Sequence, residues 1–311
     1  MRVLVTGGLG FLGHAVTRDL LAAGHQVTVM SRGRTDAKPA PGADLVTGDI
    51  RDRARVGEIT RTGGYEGVVH LAAVTSGRHS LADPLTYFDV NVGGTLNLLI
   101  AIDQLRDECP PVSFVFASTN IAYGSQHAGA LSEDRDPHPE SPYSAAKVAA
   151  EQLVAAYATT GAIGAVTVRP FNIAGAVDGV GDTDTARIIP NIFRAITGQL
   201  SHVTLNGDGA AVRDFVHVAD VAEGVRLALT ACTPGGHQLV NLGSGGGTSM
   251  AEVVATAERV TGKTVDVKRM PPKPEPPRLT ADITRARTQL GWEPRRSDLS
   301  EILTDAWRAW R

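Results

Sequence analysis

The chain has 311 residues, 42% hydrophobic and 5% aromatic, with 30 Lys+Arg against 33 Asp+Glu for a formal net charge of -3. That balance, free of long single-sign runs, argues against a nucleic-acid or polybasic membrane partner, and two cysteines without CxxC spacing, Cys109 and Cys232, argue against a disulfide scaffold or a structural zinc site. The 34 glycines exceed the average usage of roughly 7% but are too aperiodic for collagen or a linker, so they ask where the backbone needs unusual angles or close approach.

Arg2-Val3-Leu4-Val5-Thr6 is apolar and β-branched and reads as a strand ended by glycine. Gly7, Gly10 and Gly13 follow in GxxGxxG spacing, ahead of a helix over 12–23 with Leu12, Val16, Leu20 and Leu21 on one face. The first glycine makes a tight turn, the second lets a pyrophosphate approach a helix N-terminus, and the third permits close helix-to-strand contact. Inside a βαβ unit this spacing points to a dinucleotide. Gly24-His25 stops the helix, and residues 26–30 form the next strand. An acid at that strand's end would bond the ribose of NAD, whereas a basic residue accommodates a 2′-phosphate. The chain instead has Ser31, Arg32 and Arg34, which favours NADP and leaves NAD open.

Further strands are expected at 44–47, 67–71, 114–117 and 165–169, with helices between most of them. Continuous apolar strands alternating with helices mean a parallel sheet covered on both faces. Ser141-Pro142-Tyr143-Ser144-Ala145-Ala146-Lys147 opens a helix with Ser141 as N-cap, and Tyr143 and Lys147 share one face at i,i+4 spacing. A tyrosine that accepts a proton at neutral pH needs a neighbouring cation to favour its phenolate, which this lysine provides. Beyond Pro170, residues 174–186 read as a loop, 188–198 and 218–231 as helices, and 203–205 and 238–242 as strands. A second glycine cluster at 243–247 reads as a turn ahead of an N-cap at Thr248-Ser249, the proline-rich 271–277 as extended chain, and Trp292, Trp307 and Trp310 as anchors of a C-terminal helix. No apolar run approaches the ~18 residues of a membrane span, and the first residues do not form a signal peptide. A cytoplasmic protein is expected.

In these stretches the chain resembles the extended short-chain dehydrogenase/reductase family, and within it the sugar-nucleotide epimerases and dehydratases. The resemblance runs nearly end to end: TGGLGFLG (6–13), GDIRD (48–52), HLAA (70–73), Asn91 within VNVGGT, FASTNIAYG (116–124), SPYSAAK (141–147), RPFNIAG (169–175), VRDFVHVADVA (212–222), NLGSG (241–245) and LTADITRARTQLGW (279–292). It implies a Rossmann-type doubly wound α/β sheet over residues 1–168, with 214–245 returning to it. A smaller α/β substrate domain would comprise 169–213 and 246–311.

The same resemblance implies roles. Gly7, Gly10, Phe11, Leu12 and Gly13 would hold the cofactor pyrophosphate, Ser31 and Arg32 its ribose end, and Asp49 and Ile50 its adenine. Leu71, Ala72, Ala73, Asn91 and Pro170 would form the cofactor wall. Thr119, Tyr143 and Lys147 would be catalytic, with Tyr143 the acid/base. Thr75, Asn172, Arg187 and Arg213 would face the substrate, and Arg278 would replace a diphosphate contact that the family carries in an Arg-x-Gly-Asp run absent here. The dehydratases follow their catalytic Thr with Asp-Glu, where this chain has Asn120-Ile121. Isoleucine cannot act as acid or base, so elimination of water is not expected.

What remains is a nucleotide-sugar 4-epimerase acting on a UDP- or TDP-linked sugar by transient oxidation at C4 with bound NAD(P). The alternative is an NADPH-dependent 4-keto-sugar reductase. A non-catalytic nucleotide sensor would have lost Tyr143 or Lys147. The family also implies a homodimer through helices at 87–105 and 144–159.

Overall fold

Seven apolar runs pair into one all-parallel sheet: β1 (Arg2–Thr6), β2 (Gln26–Ser31), β3 (Asp44–Thr47), β4 (Gly67–His70), β5 (Val112–Ala117), β6 (Ile163–Pro170) and β7 (His237–Leu242), in the order β7-β6-β5-β4-β1-β2-β3. The structure, a computed structural model, describes residues 1–33, 37–272 and 275–311. Arg34, expected at the ribose end, and Lys273-Pro274 of the proline run lie outside the described residues. The strand order reverses at β1, so a crevice opens between β1 and β4 at the C-terminal ends of the strands, where ligands of doubly wound sheets bind.

Period-two alternation sends Val3 and Val5 to one face and Leu4 to the other, and both faces are buried. On the first face α1 (Phe11–Ala22) and α6 (Val218–Ala231) cover the sheet with Val16, Leu20, Val221 and Val225. On the second, α2 (Arg53–Gly63), α3 (Gly94–Asp103) and α4 (Pro142–Ala158) contribute Val56, Ile59, Leu98, Ile102 and Val154.

Helix α3 continues a helical run from Pro84 through a π-turn at Asp89–Gly93. The run Pro84–Asp103 is long and apolar enough to cross a membrane, but half of its apolar window is buried in the fold. It also places Asn91, Thr95 and Asn97 inside, so it serves as a core helix.

A second apolar cluster centre lies among α5 (Ile188–Ile196), α7 (Met250–Thr261) and α8 (Leu299–Trp310), with Ile192, Phe193, Val253, Ile302 and Trp307 buried together. A small sheet runs 248–249, 212–213, 278–281, 129–131, so a segment of the first half pairs with the last third of the chain. Trp307 and Trp310 pack on Phe193 at 5.2 and 5.7 Å between ring centres. Trp292 does not belong to that helix: it is fully buried against the first unit and donates its indole N–H to the Asp220 carbonyl at 2.8 Å.

Candidate active site

Gly7 leaves β1 with φ +74, a conformation that favours glycine, and a Cβ there would lie 2.8 Å from the Ala72 nitrogen. A Cβ on Gly13 would overlap the Gly7 carbonyl oxygen, so that glycine sets the close approach of α1 to the turn. Gly10 is the N-cap of α1, makes no side-chain cap bond, and has only the Gly7 carbonyl near its own absent Cβ, at 3.3 Å. The first helical N–H groups therefore meet an open space with no acid in the first turn, which suits a phosphate.

The other glycine-rich turn has the opposite arrangement. The N–H groups of Ser244, Gly245 and Ala281 and the Ser244 hydroxyl all donate to the buried Asp214 carboxylate, at 2.6–3.0 Å. An internal anion fills that cradle, and Ser249 caps α7 by accepting from the Glu252 N–H at 3.1 Å.

A cavity of about 1010 Å³ opens at the crevice. Its wall includes the glycine turn with Phe11 and Leu12, then Ser31 and Arg32 at the end of β2, Asp49 and Ile50 after β3, Leu71, Ala72 and Ala73 after β4, and Pro170. Thr75, Asn172, Arg187 and Arg213 line the same space, as do Thr119, Tyr143 and Lys147. Two expected residues do not line it. Asn91 is buried behind the wall, where its amide bonds both the N–H and the carbonyl of Val74, at 2.9 and 3.1 Å. Arg278 is exposed on a strand beside Val212.

The charged groups are mostly engaged. Asp49 accepts two bonds from the Arg51 guanidinium, which with the nearby Arg32 charge holds its carboxyl down at about 2. Arg213 bonds Glu275 and two backbone carbonyls, Val212 and Pro276. Arg187 bonds Asp182 at 3.1 Å and lies 3.6 Å from Asp184. Asp182, Asp184 and Ser118 also line the cavity and were not singled out from the sequence, whereas Ile121, marked there as the place of a missing acid, lines it too. Ser118 carried a signal, since it precedes Thr119 on the same strand end, and its buried hydroxyl has no partner within the protein.

Thr119 follows β5, and its hydroxyl accepts from the Ile121 N–H at 3.3 Å. Helix α4 begins with a capping box between Ser141 and Ser144, which fixes the first turn and with it Tyr143. The Tyr143 ring meets Tyr87 edge to face at 6.1 Å. Burial raises the Tyr143 phenol, while the Thr119 hydroxyl and the Arg187 charge oppose that rise. One turn on, the Lys147 ammonium lies over the Phe116 ring at 4.1 Å. Burial pulls it down to about 7, against a raising contribution from Glu151. The Glu151 carboxylate is itself held by Arg169, at 2.8 and 2.5 Å. The arrangement is a proton-exchanging phenol and ammonium beside a hydroxyl, next to a phosphate-ready turn.

Known proteins resemble the chain over its whole length. The UDP-glucose 4-epimerase of Corynebacterium glutamicum is 35% identical over 99% of this chain and 95% of its own, and that of Streptomyces lividans is 36% identical over 98% and 95%. The crystal structure of UDP-glucose 4-epimerase from Stenotrophomonas maltophila, with bound NAD and formylated UDP-arabinopyranose, superposes with a TM-score of 0.92 at 30% identity, covering 100% of this chain and 98% of that one. The model of the NAD dependent epimerase/dehydratase family matches residues 3–243. With the parallel sheet, the glycine turn and the Thr119–Tyr143–Lys147 set inside that match, the chain belongs to the NAD dependent epimerase/dehydratase family.

Proposed function

We propose that the protein is a nucleotide-sugar 4-epimerase that acts on a UDP-linked sugar by transient oxidation at C4. The observation that carries this reading is one continuous cavity holding the glycine turn, the three catalytic residues and two arginines, with the apolar Ile121 exposed in it where dehydration would require a carboxylate. Tyr143 takes the proton of the sugar 4-hydroxyl while the Thr119 hydroxyl bonds the same oxygen. Lys147 supplies the positive charge that favours the phenolate. Arg187, Arg213 and the start of α5, which has no side-chain cap, grip the diphosphate, so the 4-keto sugar turns over while tethered and Tyr143 returns the proton.

The glycine turn fits a dinucleotide pyrophosphate, with Asp49 and Ile50 beside the adenine and Lys147 at the nicotinamide ribose. When bound, the nicotinamide supplies the hydride chemistry at C4. NAD is the cofactor in related structures. No carboxylate ends β2 in this chain, and Arg32 lines the cavity there, so we propose that NADP is accepted as well. The doubly wound unit (1–168 with 214–245) binds the cofactor and the remainder binds the sugar nucleotide. Exposed Leu81, Leu85, Phe88 and Leu96 on and beside the run Pro84–Asp103 support a homodimer through that face.

The test is incubation of purified protein with UDP-galactose, UDP-glucuronate and a TDP-4-keto-6-deoxy sugar, with and without NADPH. Epimer formation without stoichiometric cofactor oxidation is expected. Turnover only with equimolar loss of NADPH would overturn the epimerase reading in favour of the reductase, which Arg32 also suits.

A further inference from the structure

Behind the cavity wall a buried chain of hydrogen bonds joins three segments distant in sequence. His70 ends β4, is 1% exposed, and packs beside Phe114 and Phe116. Its Nδ1 lies 2.8 Å from the Thr6 hydroxyl and its Nε2 lies 3.0 Å from the Thr95 hydroxyl. The Thr6 hydroxyl also accepts from the Ala72 N–H at 3.2 Å, and the Thr95 hydroxyl donates to the Asn91 carbonyl at 2.6 Å.

The Thr95 end fixes one proton, and the partners available to the Thr6 hydrogen decide the other. A hydroxyl has a single hydrogen. Thr95 gives its hydrogen to a carbonyl, so it can only accept from the ring, and Nε2 must carry a hydrogen. Thr6 already accepts from Ala72 and can give its hydrogen to a bare Nδ1. The chain is satisfied throughout only when His70 is neutral and protonated on Nε2. At its far end Asn91 clamps Val74 on both backbone groups. Thr6, Gly7, Ala72 and Val74 line the cavity, whereas His70 does not.

We propose that His70 is a positioning residue for cofactor binding: through Thr6 and Ala72 it holds the wall after β4 against the root of the glycine turn. Gly7 gives the fit its narrow tolerance, since its backbone already lies against Ala72. The inference rests on the dinucleotide reading of the cavity and adds a residue to it.

The two amide replacements separate the two arms. The His70→Asn carbonyl reaches the Nδ1 position and accepts from Thr6; the His70→Gln amide reaches the Nε2 position and leaves Thr6 without an acceptor. The measurements are NAD+ and UDP titrations of each purified protein, and hydrogen exchange of peptides spanning residues 71–74. We expect His70→Asn to stay within about threefold of wild-type NAD+ affinity and His70→Gln to lose about tenfold or more, with UDP affinity unchanged in both. Exchange at 71–74 should quicken only in His70→Gln. Equal effects of the two variants on affinity and exchange would overturn the proposal. If wild-type protein binds no dinucleotide, the cofactor reading falls instead, while exchange at 71–74 still decides whether His70 holds the wall.

Discussion

Tyr143 and Lys147 sit one helical turn apart with little access to water, and burial displaces both from their charged forms. With the phenol raised and the ammonium near 7, the first proton lost on titration comes off the pair. Of the two forms with one proton removed, the one with a phenolate and an ammonium is the base that the reaction requires. We therefore expect kcat/KM to rise about tenfold per pH unit on the acid side and to level near pH 7. Lys147→Met should move that limb upward by at least about one pH unit, because the phenol then titrates alone in a buried site. A pH profile indistinguishable from wild type would remove Lys147 from the mechanism. Tyr143→Phe keeps the ring against Tyr87 and removes only the hydroxyl. It should lower kcat by about 10²–10⁴-fold with unchanged dinucleotide affinity, read by progress curves and titration.

Two turns of like composition diverge because of one carboxylate. At Gly10 the helix start is open, whereas at 243–247 Asp214 accepts from Ser244, Gly245 and Ala281. Asp214→Asn sets an amide NH2 against backbone N–H groups in a buried place, and should cost about 2–4 kcal/mol in urea unfolding without changing dinucleotide affinity. An unchanged midpoint would mean that the glycines alone hold the turn. This contrast also marks what the sequence makes legible. The strands of the large sheet declare themselves as continuous apolar runs, whereas the short strands at 129–131, 212–213 and 278–281 carry no such signal, and Tyr143 with Lys147 is visible as a four-residue spacing behind a capping Ser. Asp214 lies 30 residues from the turn that it fills, and Arg213 is tied to Glu275 62 residues on. Asn91 reaches Val74, 17 residues back, from the π-turn, which no local pattern announces. Pairings of this kind depend on the finished fold, which is why Asn91 and Arg278 were expected in a cavity that they do not line, and why Asp182 and Asp184 were not expected there.

The run Pro84–Asp103 presents Leu85, Phe88 and Leu96 to the outside, and the π-turn between Phe88 and Leu96 slows the helical rotation so that they fall near one face. Leu85→Lys combined with Leu96→Lys should halve the mass found by light scattering; a monomeric wild-type protein would dismiss the dimer. The response of the whole fold to acid follows from its histidines. Burial depresses His14, His25, His70, His217 and His237 below 6.5, His70 to about 3. The nearby Lys147 charge depresses His70 further. As pH falls through 6.5 the unfolded chain takes up these protons and the folded chain does not. Stability is therefore fully present above 6.5 and is lost on acidification, at about 1.4 kcal/mol per pH unit for each histidine still neutral in the fold. Glu133, Asp182 and Asp214, raised by burial, act in the other direction, because the folded chain protonates them first and so offsets part of the loss at lower pH. Denaturant titrations between pH 7 and 5 should show a falling unfolding free energy. His70→Asn starts lower at neutral pH and should fall less steeply, by about 1.4 kcal/mol per pH unit. An unchanged slope in that variant would mean that His70 is already protonated in the fold, with Thr6 accepting from both Ala72 and the ring and its own hydrogen left without a partner.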